Sequence, residues 1–478
     1  MHRVDRNRRW TAVTTAVACA LSAALVLIAS PAHAVPAFAR QYGTSCQTCH
    51  TVYPVLTPFG EAFRRNGYRF PGTNSESLRQ DPTPLGQDVS KRTFPNSVWP
   101  ASVPGGVPLA FGINGQAVLH PDGSSGGAQA DNKTAVSLAD LTAEAHLWAA
   151  GPIDDQITYY AELTVDDSGI AFERGEFHFG DLFGPQHWFN LTAGRHPPTL
   201  SSYGLHSSYM ADTRWLTASV TELYGADGGK WDLWGNYNGV EMNGVMGGRF
   251  DYAIGVDAGS NIDVRNTQDA YAMVGFKLGG MRLDGEAGGA APEGGRPWAE
   301  TALSVDLFVQ RGQSRFSNPL GGTAATPGGT PSGSIFSDQV LTFGGSLRGQ
   351  WGSLTLDAGA RTEHHDRALA DGTGADMQVQ WDELSWVALP WLVPALRFEY
   401  VRLTPTGAAV VSDYRITPGI AALIRPNVKL VLVGWFEGAH GAPVAGWGPA
   451  GGMAMPSMAT GVVGIENEGA ALTFAFAF

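Results

Sequence analysis

The last eight residues alternate strictly between small and large apolar side chains. Leu472, Phe474, Phe476 and Phe478 share one face, while Ala471, Thr473, Ala475 and Ala477 share the other. A period of two is the signature of a strand with unlike faces. Ending on Phe after such a run is how outer-membrane barrels commonly finish. Similar stretches recur at residues 107–120, 137–148, 156–165, 188–194, 230–246, 270–278, 341–350, 353–361, 380–389, 395–403, 414–423 and 428–436. The connections in the last third alternate in length. Residues 312–336, 364–377 and 437–459 read as long, 351–352, 390–394 and 425–427 as short, and 404–413 as intermediate. Short periplasmic turns opposite long external loops are the habit of outer-membrane barrels. The expectation is an all-β fold: an antiparallel outer-membrane barrel of about 16 strands over residues 105–478, with 18 as the alternative count. The strand parity is lost near residues 279–298. A soluble sandwich or propeller is the competing architecture, but no blade-length repeat is evident. Trp381, Trp386, Trp391, Tyr400 and Trp435 lie near proposed strand ends, where they read equally as an interfacial aromatic girdle or as core.

The N-terminal hundred residues follow other rules. Arg3, Arg6, Arg8 and Arg9 precede an apolar run over residues 11–29, followed by Ala32-His33-Ala34. This is an export signal over residues 1–34, with the mature chain starting at Val35. The small-residue site argues against an uncleaved anchor, and Cys19 lies inside the apolar run rather than after it, unlike a lipoprotein cysteine. Residues 71–104 contain Pro71, Pro82, Pro84, Pro95, Pro100 and Pro104 among Ser, Asn and Asp, and read as a linker without regular structure.

Between leader and linker lies Cys46-Gln47-Thr48-Cys49-His50. Two thiols can form thioethers with haem vinyl groups, and the adjoining imidazole can reach the iron. A zinc site would want a second Cys or His cluster nearby, and residues 51–119 contain neither residue. A redox dithiol would want a thioredoxin-like context, which is absent. The reading is one covalent haem c, carried by Cys46 and Cys49 with His50 as proximal ligand to the iron. Downstream, Thr57 suits an N-cap, Pro58 the first helical position and Gly67 the residue past the end. Phe59 and Phe63 share one face of that helix, and Phe38, Tyr42, Tyr53, Leu56, Tyr68 and Phe70 add apolar surface. A segment of residues 35–70 is too small to fold alone. It is expected to need the barrel for shelter, plugging its lumen, and to find any sixth ligand there. His120, His146, His178, His187, His196, His206 and His440 each read as polar lumen or loop residues. Met210, Met242, Met246, Met453, Met455 and Met458 are not ranked.

Composition narrows the function. The chain has 478 residues, 62 Gly, 14 Trp and only 16% charged residues, and two of its three cysteines sit in the one motif. The formal charge is −13, and the leader's net +3 leaves the remainder near −16. That excludes nucleic acid as a partner and suits a small cation. His364-His365-Asp366 opens a proposed external loop and is a second, weaker candidate for holding a metal ion.

The stretch Pro36-Ala37-Phe38-Ala39-Arg40-Gln41-Tyr42-Gly43-Thr44-Ser45-Cys46-Gln47-Thr48-Cys49-His50, with Leu56-Thr57-Pro58-Phe59-Gly60, resembles the amino terminus of the fused monohaem cytochrome–porins of bacterial outer membranes. The best-known members are outer-membrane iron oxidases. The sharp part of the resemblance spans Pro36 to Phe70, and the family pattern often has Thr where Tyr42 stands here. It implies a haem within or at the mouth of a barrel, relaying electrons from an extracellular donor to a periplasmic carrier. The leading donor is Fe(II), which would make the chain an Fe(II):cytochrome c oxidoreductase embedded in outer-membrane lipid. Two other functions compete. One is a solute-conducting porin whose haem segment is a structural plug or redox sensor. The other is a haem peroxidase, which would need a distal His or Arg that nothing near the motif supplies.

Overall fold

In the computed structural model the described residues are 37–71, 83–84, 88–96, 102–103, 109–120, 135–166, 169–204, 206–210, 235–258, 269–286, 295–317, 335–367, 374–407, 410–425, 427–440 and 464–477. The expected export signal, most of the linker and Phe478 lie outside them.

Sixteen strands close into one barrel. They are β1 Leu109–His120, β2 Ala135–Pro152, β3 Ile157–Asp166, β4 Gly169–Phe179, β5 Asn190–His196, β6 Tyr237–Met246, β7 Phe250–Asp257 and β8 Asp269–Gly279. The second half is β9 Glu300–Ser317, β10 Ile335–Gly352, β11 Leu354–His365, β12 Ala375–Trp386, β13 Leu392–Pro405, β14 Val411–Arg425, β15 Val428–His440 and β16 Gly464–Ala477. Each pairs antiparallel with its sequence neighbour, and β16 closes on β1 with Ala477 opposite Gly112 and Phe474 opposite Gly115. Closure removes the unpaired edges that an open sheet would expose.

Alternation decides which side chains face inward. Along β12 the buried positions are Ala375, Met377, Val379, Trp381, Glu383 and Ser385, one residue apart throughout. In β16, Ala471, Thr473 and Ala475 are buried while Leu472 is exposed, as the terminal pattern predicted. The outer surface carries Ile254, Phe276, Leu307, Phe343, Leu384, Trp386 and Leu432. An apolar outer band of this kind faces lipid. The inner surface carries Glu241, Asp306, Asp357, Arg361, Glu363, Glu383, Arg397 and Glu399, all buried. No helix among the described residues is long and apolar enough to cross a membrane.

The β3–β4 connection, residues 167–168, is short at one end of the barrel, but most short connections share the other end. There β10 passes to β11 through Ser353 alone, β6 to β7 through residues 247–249, and β14 to β15 through residues 426–427. Residues 280–299, between β8 and β9, are a long connection at that same end, which is why parity was lost there. Three strands escaped the alternation reading: β4, β7 and β9. β4 begins on a run of exposed positions, and β9 carries polar residues on both faces. Residues 88–93 form a short helix inside the expected linker, and Thr83–Pro84 pairs with Ser102–Val103. The expectation of no regular structure is therefore corrected: the helix occupies the proline-free interval between Pro84 and Pro95.

The lumen is not empty. Residues 37–71 fold inside the barrel near the short-turn end. Residues 197–204 and 206–210, the crossing segment that follows β5, lie against them in the lumen. Carboxylates of the wall hold this crossing segment: Glu241 accepts from Thr199 N at 2.9 Å and Asp306 from Ser202 N at 2.9 Å. Glu383 accepts from Ser208 Oγ at 2.6 Å and Tyr209 N at 3.1 Å. Hydrogen bonding of this kind is what makes a buried carboxylate tolerable. Val52 and Val55 of the plug, Tyr209 and Met210 of the crossing segment, and Val393, Leu423, Val431 and Ala471 of the wall form one apolar core.

Candidate haem site

Three helices build the plug: α1 Ala37–Gln41, α2 Cys46–Cys49 and α3 Pro58–Arg65. Thr57 caps α3 as expected, its hydroxyl accepting from Gly60 N at 3.1 Å and donating to the Thr48 carbonyl at 2.8 Å. The cap thus ties α3 to α2. Gly67 ends α3 with φ +61°, Gly67 N bonding Arg64 O at 3.1 Å and Tyr68 N bonding Phe63 O at 2.9 Å. This is a Schellman ending, and it turns the chain towards Tyr68 and Phe70. Phe38 meets Phe63 edge-on at 5.0 Å, and Tyr42 stacks on Phe70 at 4.1 Å.

Cys46 and Cys49 are three apart on one helical turn, so their thiols share a face. No disulfide joins them. Burial pushes the Cys49 thiol up to about 12, with the neighbouring Cys46 adding to it, and burial raises Cys46 as well. A reactive redox dithiol would want the opposite shift. His50 leaves α2 in an extended conformation, its amide bonded to Cys46 O at 2.9 Å. Its Nδ1 lies 3.3 Å from the Pro54 carbonyl oxygen. Donating Nδ1–H there leaves the Nε2 lone pair for a metal, the arrangement that orients ligating imidazoles. Burial lowers the His50 pKa to about 4, so the ring is the neutral form that a metal requires.

The motif faces an apolar cavity. Plug residues Phe38, Leu56, Phe63 and Tyr68 line it together with wall residues Ala110, Trp148, Ala150, Tyr160, Leu423, Ala475 and Ala477, and its empty space, counted out to the mouth, is about 1420 Å³. Alanines on the wall leave room for a planar ring between motif and barrel. The polar rim comprises Arg64, Arg174, Lys429, Asn114 and Asn427, suited to carboxylate groups such as propionates. Arg174 is already bonded to Glu176 Oε1 at 2.6 Å and to the Tyr68 hydroxyl at 2.8 Å. Two thiols, one oriented neutral imidazole and an apolar enclosure fit a c-type haem.

One lining residue was assigned elsewhere by the sequence. His206, read as a lumen or loop histidine, borders this cavity from the crossing segment, and its carbonyl accepts from Leu56 N at 2.9 Å. Nothing in its polar surroundings, Ser201 to Tyr209, signals that an external connection folds inward. Met210 is fully buried in the adjoining core and does not line the cavity.

The second candidate does not assemble. His364 and His365 are the last residues of β11, not the start of a loop, and consecutive strand residues point to opposite faces. His364 is exposed, with Nδ1 2.7 Å from Asp376 and Nε2 3.8 Å from Asp366. His365 is buried in the lumen, between Asp338 at 2.6 Å and Glu363 at 3.1 Å. Among the described residues no cluster of three or more His, Cys, Asp or Glu is arranged to hold a metal ion.

No protein-family model matches the chain, and no curated protein matches it. Among solved structures, in-vitro folded OmpT, an outer membrane protein of Vibrio cholerae, is similar over 77% of this chain and 97% of that one, at 11% identity and a TM-score of 0.50. An anion-selective porin from Comamonas acidovorans is similar over 77% of this chain and 99% of that one, at 14% identity and a TM-score of 0.49. The chain is an outer-membrane β-barrel. The OmpT likeness shows that fold alone, and the lipid-facing outer surface agrees with it. In such barrels the short turns are commonly periplasmic, and the plug lies at the end that carries most of the short turns.

Proposed function

We propose that this barrel relays single electrons across an outer membrane through one covalent c-type haem. Cys46 and Cys49 would hold the haem and His50 would be its proximal ligand. The donor is extracellular, Fe(II) first, and the acceptor is a periplasmic cytochrome or similar carrier. The observation that carries this reading is the enclosure of the Cys46-Cys49-His50 face by an apolar cavity inside the barrel. A bound haem supplies a reversible one-electron couple. The residues of this chain supply its surroundings. Pro54 fixes the His50 ring through Nδ1, and Phe38, Phe63, Tyr68 and Trp148 exclude water. The position of the plug at the end with most of the short turns favours hand-off to a carrier on the periplasmic side. The apolar band of an outer membrane is roughly 25 Å tall, so an electron needs such a relay while an insoluble or toxic donor stays outside.

The porin-type fold favours a second reading, a solute-conducting pore in which the same segment is a plug or redox sensor. Stopped-flow mixing of the purified protein with excess Fe(II), at acid and at neutral pH, separates the two. Haem reduction within the mixing experiment is the expected result. A haem that stays oxidised at both pH values sinks Fe(II) as donor, and rapid solute flux in liposomes without electron transfer favours the pore. Absence of covalent haem from the purified protein ends the relay reading altogether.

A further inference from the structure

We infer that His206 is the second axial ligand of the haem, so that the iron is held between the plug and the crossing segment. This rests on the haem reading above. Haem iron in electron-transfer proteins takes His or Met as its axial partners. Among the described residues no methionine lines the cavity, and the imidazoles that do are His50 and His206. His206 reaches the cavity because residues 197–204 and 206–210 are pinned at fixed points along the lumen. Thr199 is bonded to Glu241, Ser202 to Asp306, and Ser208 and Tyr209 to Glu383. Next to the histidine, Ser207 N and Ser208 N both bond the Gly204 carbonyl, at 3.0 and 3.2 Å, shaping a tight turn. The His206 carbonyl takes the Leu56 amide, and Leu56 itself pairs with His50. The two histidines are thereby held to one backbone framework.

The ring itself is the second observation. Its Nδ1 is buried and has no hydrogen-bond partner. A buried, unpaired imidazole nitrogen costs free energy comparable to a lost hydrogen bond, and a metal bond is one way to repay it. Two other polar atoms on the cavity, Arg64 Nε and Asn427 Nδ2, are also buried without partners, but both are donors with no lone pair for a metal. The Tyr68 hydroxyl accepts from Arg174, and the Tyr42 hydroxyl donates to the Tyr68 carbonyl at 3.0 Å. Axial closure by His206 has a structural consequence. It makes haem attachment stabilise the crossing segment, so cofactor loading and closure of the lumen become one event.

The test is spectroscopic and uses the full-length holoprotein in detergent. Haem content is measured first as the pyridine haemochrome, because a wild type without haem defeats the haem reading rather than this one. The ferric wild type should be low-spin and six-coordinate by optical and EPR spectra. His206→Ala should retain covalent haem and lose the low-spin signal, and added imidazole should restore it. His206→Met should stay low-spin, gain the sulfur-to-iron charge-transfer band in the near infrared and rise in potential. A high-spin wild type, or a haem-loaded His206→Ala with an unchanged spectrum, overturns the assignment. If His206→Ala does not fold, His206→Met decides: a low-spin spectrum without the sulfur band overturns the assignment equally.

Discussion

A Cβ on Gly60 would lie 2.1 Å from the carbonyl oxygen of Cys49. Helix α3 therefore packs with its backbone directly on the end of the Cys46–Cys49 turn, and only glycine permits that approach. The neighbour is backbone, so no side-chain rotation relieves the clash. Gly60→Ala is expected to displace α3 from α2 at a cost of about 1–3 kcal/mol, the usual range for overpacking. Haem content per barrel, measured as the pyridine haemochrome, should fall, while heat-modifiable migration of the barrel on gels stays normal. Equal haem content in wild type and variant would show that the two helices can part without harm.

Much of this architecture was legible in the chain, for physical reasons that differ from element to element. The terminal strand was readable because Leu472 and Phe474 face lipid while Ala471, Thr473 and Ala475 face inward, so that burial and residue size alternate together. Strand β7 was not: its outward Tyr252 is buried between inward Asp251 and Ala253, so burial does not alternate there. Thr57, Pro58 and Gly67 announced α3 because capping is local chemistry, satisfied within four residues of each end. His206 was hidden for the opposite reason. Its place depends on Glu241, Asp306 and Glu383, which lie on three different strands. No local pattern encodes contacts of that sequence separation.

The Arg65 guanidinium bonds the Asp251 carboxylate, joining α3 to the wall strand β7. Both side chains are largely out of solvent, 15% and 4% exposed, so removing one partner leaves a charge stranded. Arg65→Met is expected to destabilise plug docking by about 3–5 kcal/mol, the range for breaking a buried pair. Arg65→Met with Asp251→Asn should recover much of that loss, since the stranded charge is gone. Limited proteolysis of the plug in the intact barrel reads both variants. A double variant as labile as the single one would mean the pair acts through shape rather than charge.

Glu61 gives the plug a specific acid response. Burial works against its carboxylate, but Arg64, Arg65 and Arg348 together outweigh burial and hold the carboxyl at about 2, below its ordinary 4.5. A carboxyl whose folded value is depressed contributes stability that is complete above its unfolded value and lost as pH falls through the folded one. The Glu61 contribution should therefore be full above pH 4.5 and vanish near pH 2. Wild type and Glu61→Gln, compared by haem absorbance during acid titration, should differ most above pH 4.5 and converge at the acid end. Curves that stay parallel down to pH 2 would remove Glu61 as the source of the difference.

The opposed faces of His364 and His365 predict opposite outcomes for two neighbouring substitutions. His364 sits on the exposed face against Asp376, and an exposed pair of this kind is worth roughly 0–1 kcal/mol. His364→Ala should leave both barrel stability and the rate of haem reduction by Fe(II) unchanged. His365 lies between Asp338 and Glu363, and all three side chains are buried. His365→Ala leaves two carboxylates facing each other without the group between them, so the thermal midpoint of the barrel should drop, with little change in the haem spectrum. If His364→Ala instead slowed reduction several-fold with haem intact, the outer face of β11 would be holding the donor after all, alongside Asp366 and Asp376.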